Sequence, residues 1–295
     1  MRRITSGRLI QAASRRYKPI RLVMDLWLPG MDASSKLIEA LKGKANNGDI
    51  LVVSEKALSV SKGLVVDEAS IKPSILSMVI TLLLMRIVWG YLLGPLCRLK
   101  PYTLEWLRAY PLREGSRHKQ LAAKLGGLLE VLKPSSEAGV DASNLPGSLV
   151  ALPLFNPLRE AEELRSKIKK CLGINVTVVI SDSDRLYIHR SSGFALTSRR
   201  SALKRSLYLG FLAYIIGRTF RGKFAPFATP LAVVGEQLDS FMLLGLTELA
   251  DRLRGSGAGR TVFEMAERFE VGLEEVTWRM LSSIKHCPAV LFKPR

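Results

Sequence analysis

Two carboxylates stand out as residues that could do chemistry together. Asp141 lies in the stretch Glu137 to Gly147, E-A-G-V-D-A-S-N-L-P-G, and Asp182 lies in Ser181-Asp182-Ser183, directly after the apolar run V-T-V-V-I. Each sits at a turn beside a strand, so the chain can bring both to one point. There they suit a divalent cation and the phosphates it neutralises. Asp is also a common turn residue whose side chain satisfies its own backbone, so either one alone could be a cap.

The elements that must position them are legible locally. Ser148 to Pro153 reads as an apolar strand, and Asn156-Pro157 supplies an N-cap and a first-turn proline. Leu158, Ala161, Leu164, Ile168 and Leu172 then recur at helical spacing, and Gly173 closes the helix. Glu160, Glu162 and Glu163 near its start and Lys167, Lys169 and Lys170 near its end complement the helix dipole. A β-branched strand, Ile174 to Ile180, follows and delivers Asp182 at its carboxyl end, where open α/β sheets hold ligands. The whole reads as a βαβ unit. Upstream, Ile50 to Ser54 is a further strand, followed by a Ser- and Lys-rich turn to Gly63. Helical runs are expected over Leu104 to Leu132, interrupted at Pro111 and Gly115, and over Val234 to Arg254.

Three words in order, G-D-I-L-V-V-S-E-K-A-L-S-V-S-K-G at Gly48 to Gly63, A-G-V-D-A-S-N, and V-V-I-S-D-S, resemble segments of the coenzyme F420-0:L-glutamate ligase (F420 gamma-glutamyl ligase) family, as in a divergent member. The resemblance is strongest from Ser136 to Ser183 and weakest from Leu64 to Lys133. It implies an α/β (mixed α+β) fold with mixed sheets and flanking helices. It also divides the chain into a basic N-terminal segment (1–27), a ligase-like domain (28–251, with a divergent helical stretch at 64–133) and a C-terminal extension of unassigned role (252–295). The implied activity is a ligase that uses GTP as co-substrate to make an acyl phosphate, which the amine of L-glutamate attacks, on an anionic coenzyme precursor. Mg²⁺ or Mn²⁺ is the implied cofactor and a homodimer the implied assembly.

Carried over residue by residue, the resemblance implies metal ligation by Asp141, Asp182 and Ser183, with Glu248 as a further ligand and Glu236 as its alternative. Nucleotide contacts fall on Leu28, Pro29, Gly30 and Met31, on Glu55 and Lys56, and on Asn144. Lys62, Arg185 and Arg190, with His189, would steady phosphate or substrate carboxylates. Two departures matter. Val60 stands where the family carries a Lys, leaving Lys62 or Lys56 to substitute, and the family's late glycine-containing loop aligns on Thr247 to Asp251, where the glycines are gone. No residue is assigned as catalytic.

Composition sets the alternatives. Lys and Arg number 44 against 26 Asp and Glu, a net charge of +18, so the partner is anionic. A nucleic-acid-binding protein is the rival from another class, supported by Arg199, Arg200, Lys204 and Arg205 but lacking an interleaved aromatic platform. A changed acceptor, or a fold retained without catalysis, is the third reading. Three dispersed cysteines exclude a disulfide framework and fit a cytoplasmic location, and structural roles are expected for the cysteines and histidines. Arg254 to Thr261, R-G-S-G-A-G-R-T, reads as a flexible connector more than as a phosphate loop, because it lacks the Walker lysine and follows a helix. Ile75 to Cys97 is long and apolar enough to cross a bilayer. A single crossing would place Glu55 and Lys56 opposite Asp141 and Asp182, so it is read as a buried helix, with peripheral membrane or dimer contact as alternatives. Leu207 to Ile216 is too short to span.

Overall fold

A computed structural model describes residues 3–135, 137–272 and 274–295. Arg2 of the basic segment and Ser136, at the head of the strongest resemblance, lie outside the described residues. The order of elements is α1 (Ser6–Arg16), β1 (Tyr17–Met24), α2 (Ala33–Leu41), β2 (Ile50–Ser54), α3 (Glu55–Ser61), β3 (Val65–Asp67), α4 (Ile75–Leu96), α5 (Pro101–Arg108) and α6 (Leu112–Gly126). There follow β4 (Leu149–Ala151), α7 (Pro157–Leu172), β5 (Thr177–His189), β6 (Ala195–Thr197), β7 (Ser206–Tyr208) and α8 (Phe211–Thr219). The chain ends in β8 (Phe224–Val234), α9 (Ser240–Arg254), α10 (Val262–Phe269), α11 (Trp278–Ser282) and β9 (His286–Pro294). This is the mixed α/β architecture with flanking helices that the sequence implies.

One mixed sheet carries the fold, in the order β1-β9-β2-β5-β6-β7, with β8 also paired to β5. Among the described residues only β2–β5 and β6–β7 pair in parallel. Residues of β2 alternate between two cores: Ile50 and Val52 pack with α9, and Leu51 and Val53 pack with α2 and α7. This period-two alternation is what a sheet covered on both faces by helices produces.

Five local readings are corrected. The expected βαβ unit is assembled differently, because β4 pairs antiparallel with β3 in a separate two-stranded sheet, and the parallel neighbour of β5 is β2. The Ser- and Lys-rich segment after β2 is a helix, α3, capped by the Ser54 side chain, which accepts from the Ala57 backbone N–H. β5 starts at Thr177 and runs on to His189, since β8 pairs along it from Val178 to His189 and extends it past the apolar run. Helix α6 passes through Gly115, which packs on Tyr110, while the break at Pro111 is present. The segment from Val234 likewise finishes β8, and the helix after it starts only at Ser240, capped by Asp239.

The two ends set apart in the sequence belong to the same sheet. β9 lies between β1 and β2, pairing antiparallel with both, and α1 packs on α9. The apolar run Ala289 to Phe292 is a local strand signal, but its place between β1 and β2 is not, because its partners are more than 230 residues away in sequence.

Candidate functional site

The parallel pairing of β2 and β5 ends at Ser54 and Ser181. Just beyond it, where the two carboxyl ends splay, lies a cleft of about 670 Å³. That size suits a small-molecule ligand. Pairing of β5 with β8 shifts register at Ile180/Ser181 and again between Asp182 and Arg185. The resulting bulge turns Asp182 and Ser183 into the cleft, so Asp182 sits at the end of the parallel stretch but inside a longer strand.

Asp141 reaches the same cleft by a different route. Its backbone bridges to Ala151, with Asp141 N donating to Ala151 O at 3.1 Å and Ala151 N to Asp141 O at 2.9 Å. Its Oδ1 accepts from the Ser143 backbone N–H and hydroxyl, both at 2.8 Å, and from Lys56 Nζ at 3.0 Å. Lys56 also donates to the Ser143 carbonyl and, at 2.8 Å, to its hydroxyl. Burial would raise the Asp141 carboxyl, but Lys56 and the Ser143 donors hold it below the ordinary range. Burial lowers the Lys56 ammonium, with Asp141 opposing.

Glu55 and Lys56 therefore part company. Lys56 faces the cleft, while Glu55 turns inward, accepting from Leu154 N at 3.0 Å and from the Arg199 fork at 2.6 and 2.8 Å. Arg199 also bonds Asp182 Oδ2. Burial pushes the Glu55 carboxyl up against the pull of Arg199. The guanidinium, although burial disfavours its charge, is held ionised by Asp182 and Glu55. Gly139 of the A-G-V-D word makes room for this arginine: a Cβ there would lie 2.7 Å from Arg199 Cζ, and its φ of +77° suits glycine.

The third wall comes from the chain end. Gly255, Ser256, Gly257, Gly259 and Arg260 line the cleft, so the segment read as a connector is part of the site. It is held in place by Asn144, whose Oδ1 accepts from Ala258 N at 2.6 Å and whose Nδ2 donates to Ser256 O at 3.0 Å and Gly259 O at 3.1 Å. Asn144 thus lines the cleft and braces the loop. Among the described residues the backbone N–H groups of Ser256 and Gly257 have no acceptor, which makes the loop a fit for phosphate oxygens. The glycines missing at Thr247 to Asp251 are absent because that stretch is the interior of α9. A glycine loop lies directly after the helix instead.

Other expected residues lie elsewhere. Glu248 stands behind Arg185, accepting from it at 2.6 Å, from Ala228 N at 2.9 Å and from Arg252 at 3.2 Å, and it does not line the cleft. Glu236 borders a separate pocket at the amino ends of β2 and β5. Leu28, Pro29, Gly30 and Met31 are not on the cleft wall, whereas the preceding Asp25, Leu26 and Trp27 are. Lys62 pairs with Glu160 at 2.6 Å and Arg190 bonds the Ile4 carbonyl at 3.0 Å, both away from the cleft. Val60 lines the cleft and packs with Leu145 and Ala151, so Lys56 is the cation that α3 offers. Arg185 lines the cleft and is fixed by Glu248 and Asp251. His286 and Cys287, expected to be structural, are also on the wall.

The donor set fits a hard divalent cation. Asp141 Oδ2, Asp182 Oδ1 and the Ser183 hydroxyl accept no bond from the described residues, and all three side chains line the cleft. Among the described residues no cluster of three or more His, Cys, Asp or Glu side chains is arranged around a metal position. Mg²⁺ requires no such cage, because it binds through one or two carboxylates together with substrate phosphates.

Comparison with known proteins agrees with this frame. Residues 22–198 match the F420-0:Gamma-glutamyl ligase family. An uncharacterized protein of Methanocaldococcus jannaschii is 33% identical over 269 residues, covering 87% of this chain and 89% of that protein. The chain belongs to the F420-0:Gamma-glutamyl ligase family.

Proposed function

We propose that this protein is a cytoplasmic ligase joining the amine of L-glutamate to a carboxylate of an anionic coenzyme F420 precursor, with GTP as co-substrate and Mg²⁺ or Mn²⁺ as cofactor. One observation carries the reading: two carboxylates with an open oxygen each, a lysine and a glycine loop converge on one cleft. In the reaction an acceptor carboxylate oxygen attacks the γ-phosphorus, the bond to the β–γ bridging oxygen breaks, and GDP leaves. The amine lone pair of glutamate then attacks the acyl carbon, orthophosphate departs and the amine proton passes to solvent. The products are an amide, GDP and orthophosphate.

The chain's own groups divide this work. Lys56 and the Ser256–Gly257 backbone meet phosphate charge, and Arg185 and Arg260 face the carboxylates of the two acids. Arg199 holds Asp182 in place from behind. Asp141, Asp182 and Ser183 would hold the metal ion, whose chemistry is to neutralise phosphate oxygens as charge develops on them.

A second reading, a changed acceptor, is favoured by Val60, which puts an apolar side chain on the wall where the family carries a cation. Incubation with GTP, Mn²⁺, glutamate and the precursor, followed by mass spectrometry, tests both. Glutamylated product with GDP supports the full reading. A thermal shift with GTP and Mn²⁺ but no product leaves the changed acceptor, and neither shift nor product removes the ligase assignment.

A further inference from the structure

We propose that α4 is a peripheral docking surface for an anionic lipid bilayer. The helix is mostly apolar, broken by Ser77, Thr81 and Arg86, yet only its inner face is covered. Ser77, Thr81, Met85 and Trp89 are buried against the body, while Ile75, Leu83, Ile87, Tyr91, Leu92 and Leu96 face outward at 82, 49, 49, 59, 63 and 50% exposure. An apolar face of this extent marks an interaction surface.

The surroundings choose the partner. From Lys72 to Glu114 the chain carries six basic residues, Lys72, Arg86, Arg98, Lys100, Arg108 and Arg113, against two acidic ones, Glu105 and Glu114. Arg221 joins them by donating to the Cys97 carbonyl at 2.8 Å and the Arg98 carbonyl at 2.8 Å. Arg108 stacks over Tyr91 at 4.5 Å and Lys100 over Tyr102 at 5.5 Å, which places cations and amphipathic rings together at the carboxyl end of the helix. Apolar residues rimmed by cations and tyrosines suit the boundary between acyl chains and anionic headgroups. A second copy of the chain would bring the same positive rim against itself.

The helix lies on the body rather than crossing a membrane. Trp89 Nε1 donates to the Leu132 carbonyl at 2.8 Å, Arg86 Nε to the Tyr110 carbonyl at 2.8 Å, and Arg108 Nε to the Gly90 carbonyl at 3.1 Å. Glu68 ahead of the helix is tied to His118 at 2.6 Å, and the Cys97 carbonyl behind it is held by Arg221. A helix fastened at both ends and along one face cannot insert end-on without leaving the body. Its outer face can sink into the interface in place.

Co-sedimentation of the full chain with phosphatidylglycerol-containing vesicles and with pure phosphatidylcholine vesicles tests this, with size-exclusion light scattering alongside. The wild type should pellet with the anionic vesicles, less so at high salt, and be released by carbonate. Ile75→Gln/Leu92→Gln, at the most exposed positions of the face, should lower the bound fraction by about tenfold, and Lys100→Glu/Arg113→Glu by several-fold, with melting temperatures little changed. Failure of the wild type to pellet overturns the proposal. So does carbonate-resistant association, which means a span, and so does a dimer that the glutamine variant dissociates while vesicle binding persists.

Discussion

Glu137 and Asp141 are four residues apart, and both are carboxylates beside a lysine, yet they have opposite roles. Glu137 uses both oxygens inside the protein: Oε1 accepts from Lys119 at 2.5 Å and Oε2 from His118 at 2.9 Å. Lys119 in turn donates to the carbonyls of Val131 and Lys133, and His118 is held on its other side by Glu68. Nearby Glu130 is equally saturated by Lys133, Tyr208 and the Ala138 backbone. Asp141 keeps Oδ2 open toward the cleft. A charge network with every valence met is a fastener, joining the helices after α4 to the loop that carries Asp141. One with an open valence at a cleft is a place for a ligand.

The sharpest way to break this comparison is to remove one charge from each side. Glu137→Gln leaves Lys119 buried without its counter-ion, and a loss of about 3–5 kcal/mol is expected, measured by denaturant unfolding. Asp141→Asn should leave the melting temperature nearly unchanged and lower turnover by about 10²-fold or more, because the half-exposed cleft tolerates the amide while phosphate positioning does not. If the asparagine variant unfolds and the glutamine variant only loses activity, the division of roles is reversed.

Acidity sharpens the same contrast. Burial disfavours the His118 cation, but Glu137 and Glu68 hold its pKa up at about 10, from an ordinary value of 6.5. A raised folded-state value means the stabilisation is complete below about pH 6.5 and is lost as pH climbs through 10. Within that window stability should fall by up to ~1.4 kcal/mol per pH unit, and His118→Asn should flatten the slope in a pH series of unfolding curves. A wild-type slope that matches the variant's would remove His118 from the fastener.

The glycine loop provides the next test, one of position rather than charge. At Gly257 φ is +62° and a Cβ would lie 2.4 Å from Asn144 Oδ1, the atom that braces the loop. Gly257→Ala should therefore cost about 1–2 kcal/mol of stability through backbone strain and raise the KM for the nucleotide by about tenfold, since displacement of a phosphate cradle is felt in binding. An unchanged KM would move the phosphates away from the loop.

What could be read from the chain was what is local. Asn156, Pro157 and Gly173 delimit α7 as expected, and the D-x-S-N turn needs only neighbours to form. Asp141 and Asp182 do share a cleft. What escaped is what distant segments supply. Arg199 meets Glu55 across 144 residues, and the loop that Asn144 braces lies 112 or more residues away. Both depend on sheet order, with β9 threading between β1 and β2 and pulling the chain end against the cleft. The R-G-S-G-A-G-R-T word carried the only advance sign, and its position after a helix argued against it when read alone. The charged pair Glu55-Lys56 could not be split by sequence either, because which side chain turns inward is decided by Arg199.

Lys62 gives the smallest effect and the cleanest control. As a substitute for the cation missing at Val60 it would be needed for nucleotide binding, yet its ammonium lies 2.6 Å from Glu160 on the outer surface, at the end of α3. A partly exposed pair of this kind contributes roughly 1 kcal/mol, so Lys62→Ala should shift the melting temperature by a few degrees at most and leave the KM for GTP unaltered. Lys56→Ala, by contrast, removes the ammonium that Asp141 and Ser143 hold in the cleft, and should raise that KM. If the two variants exchange these phenotypes, the cation of the nucleotide site sits at the far end of α3, and the cleft is not where the phosphates bind.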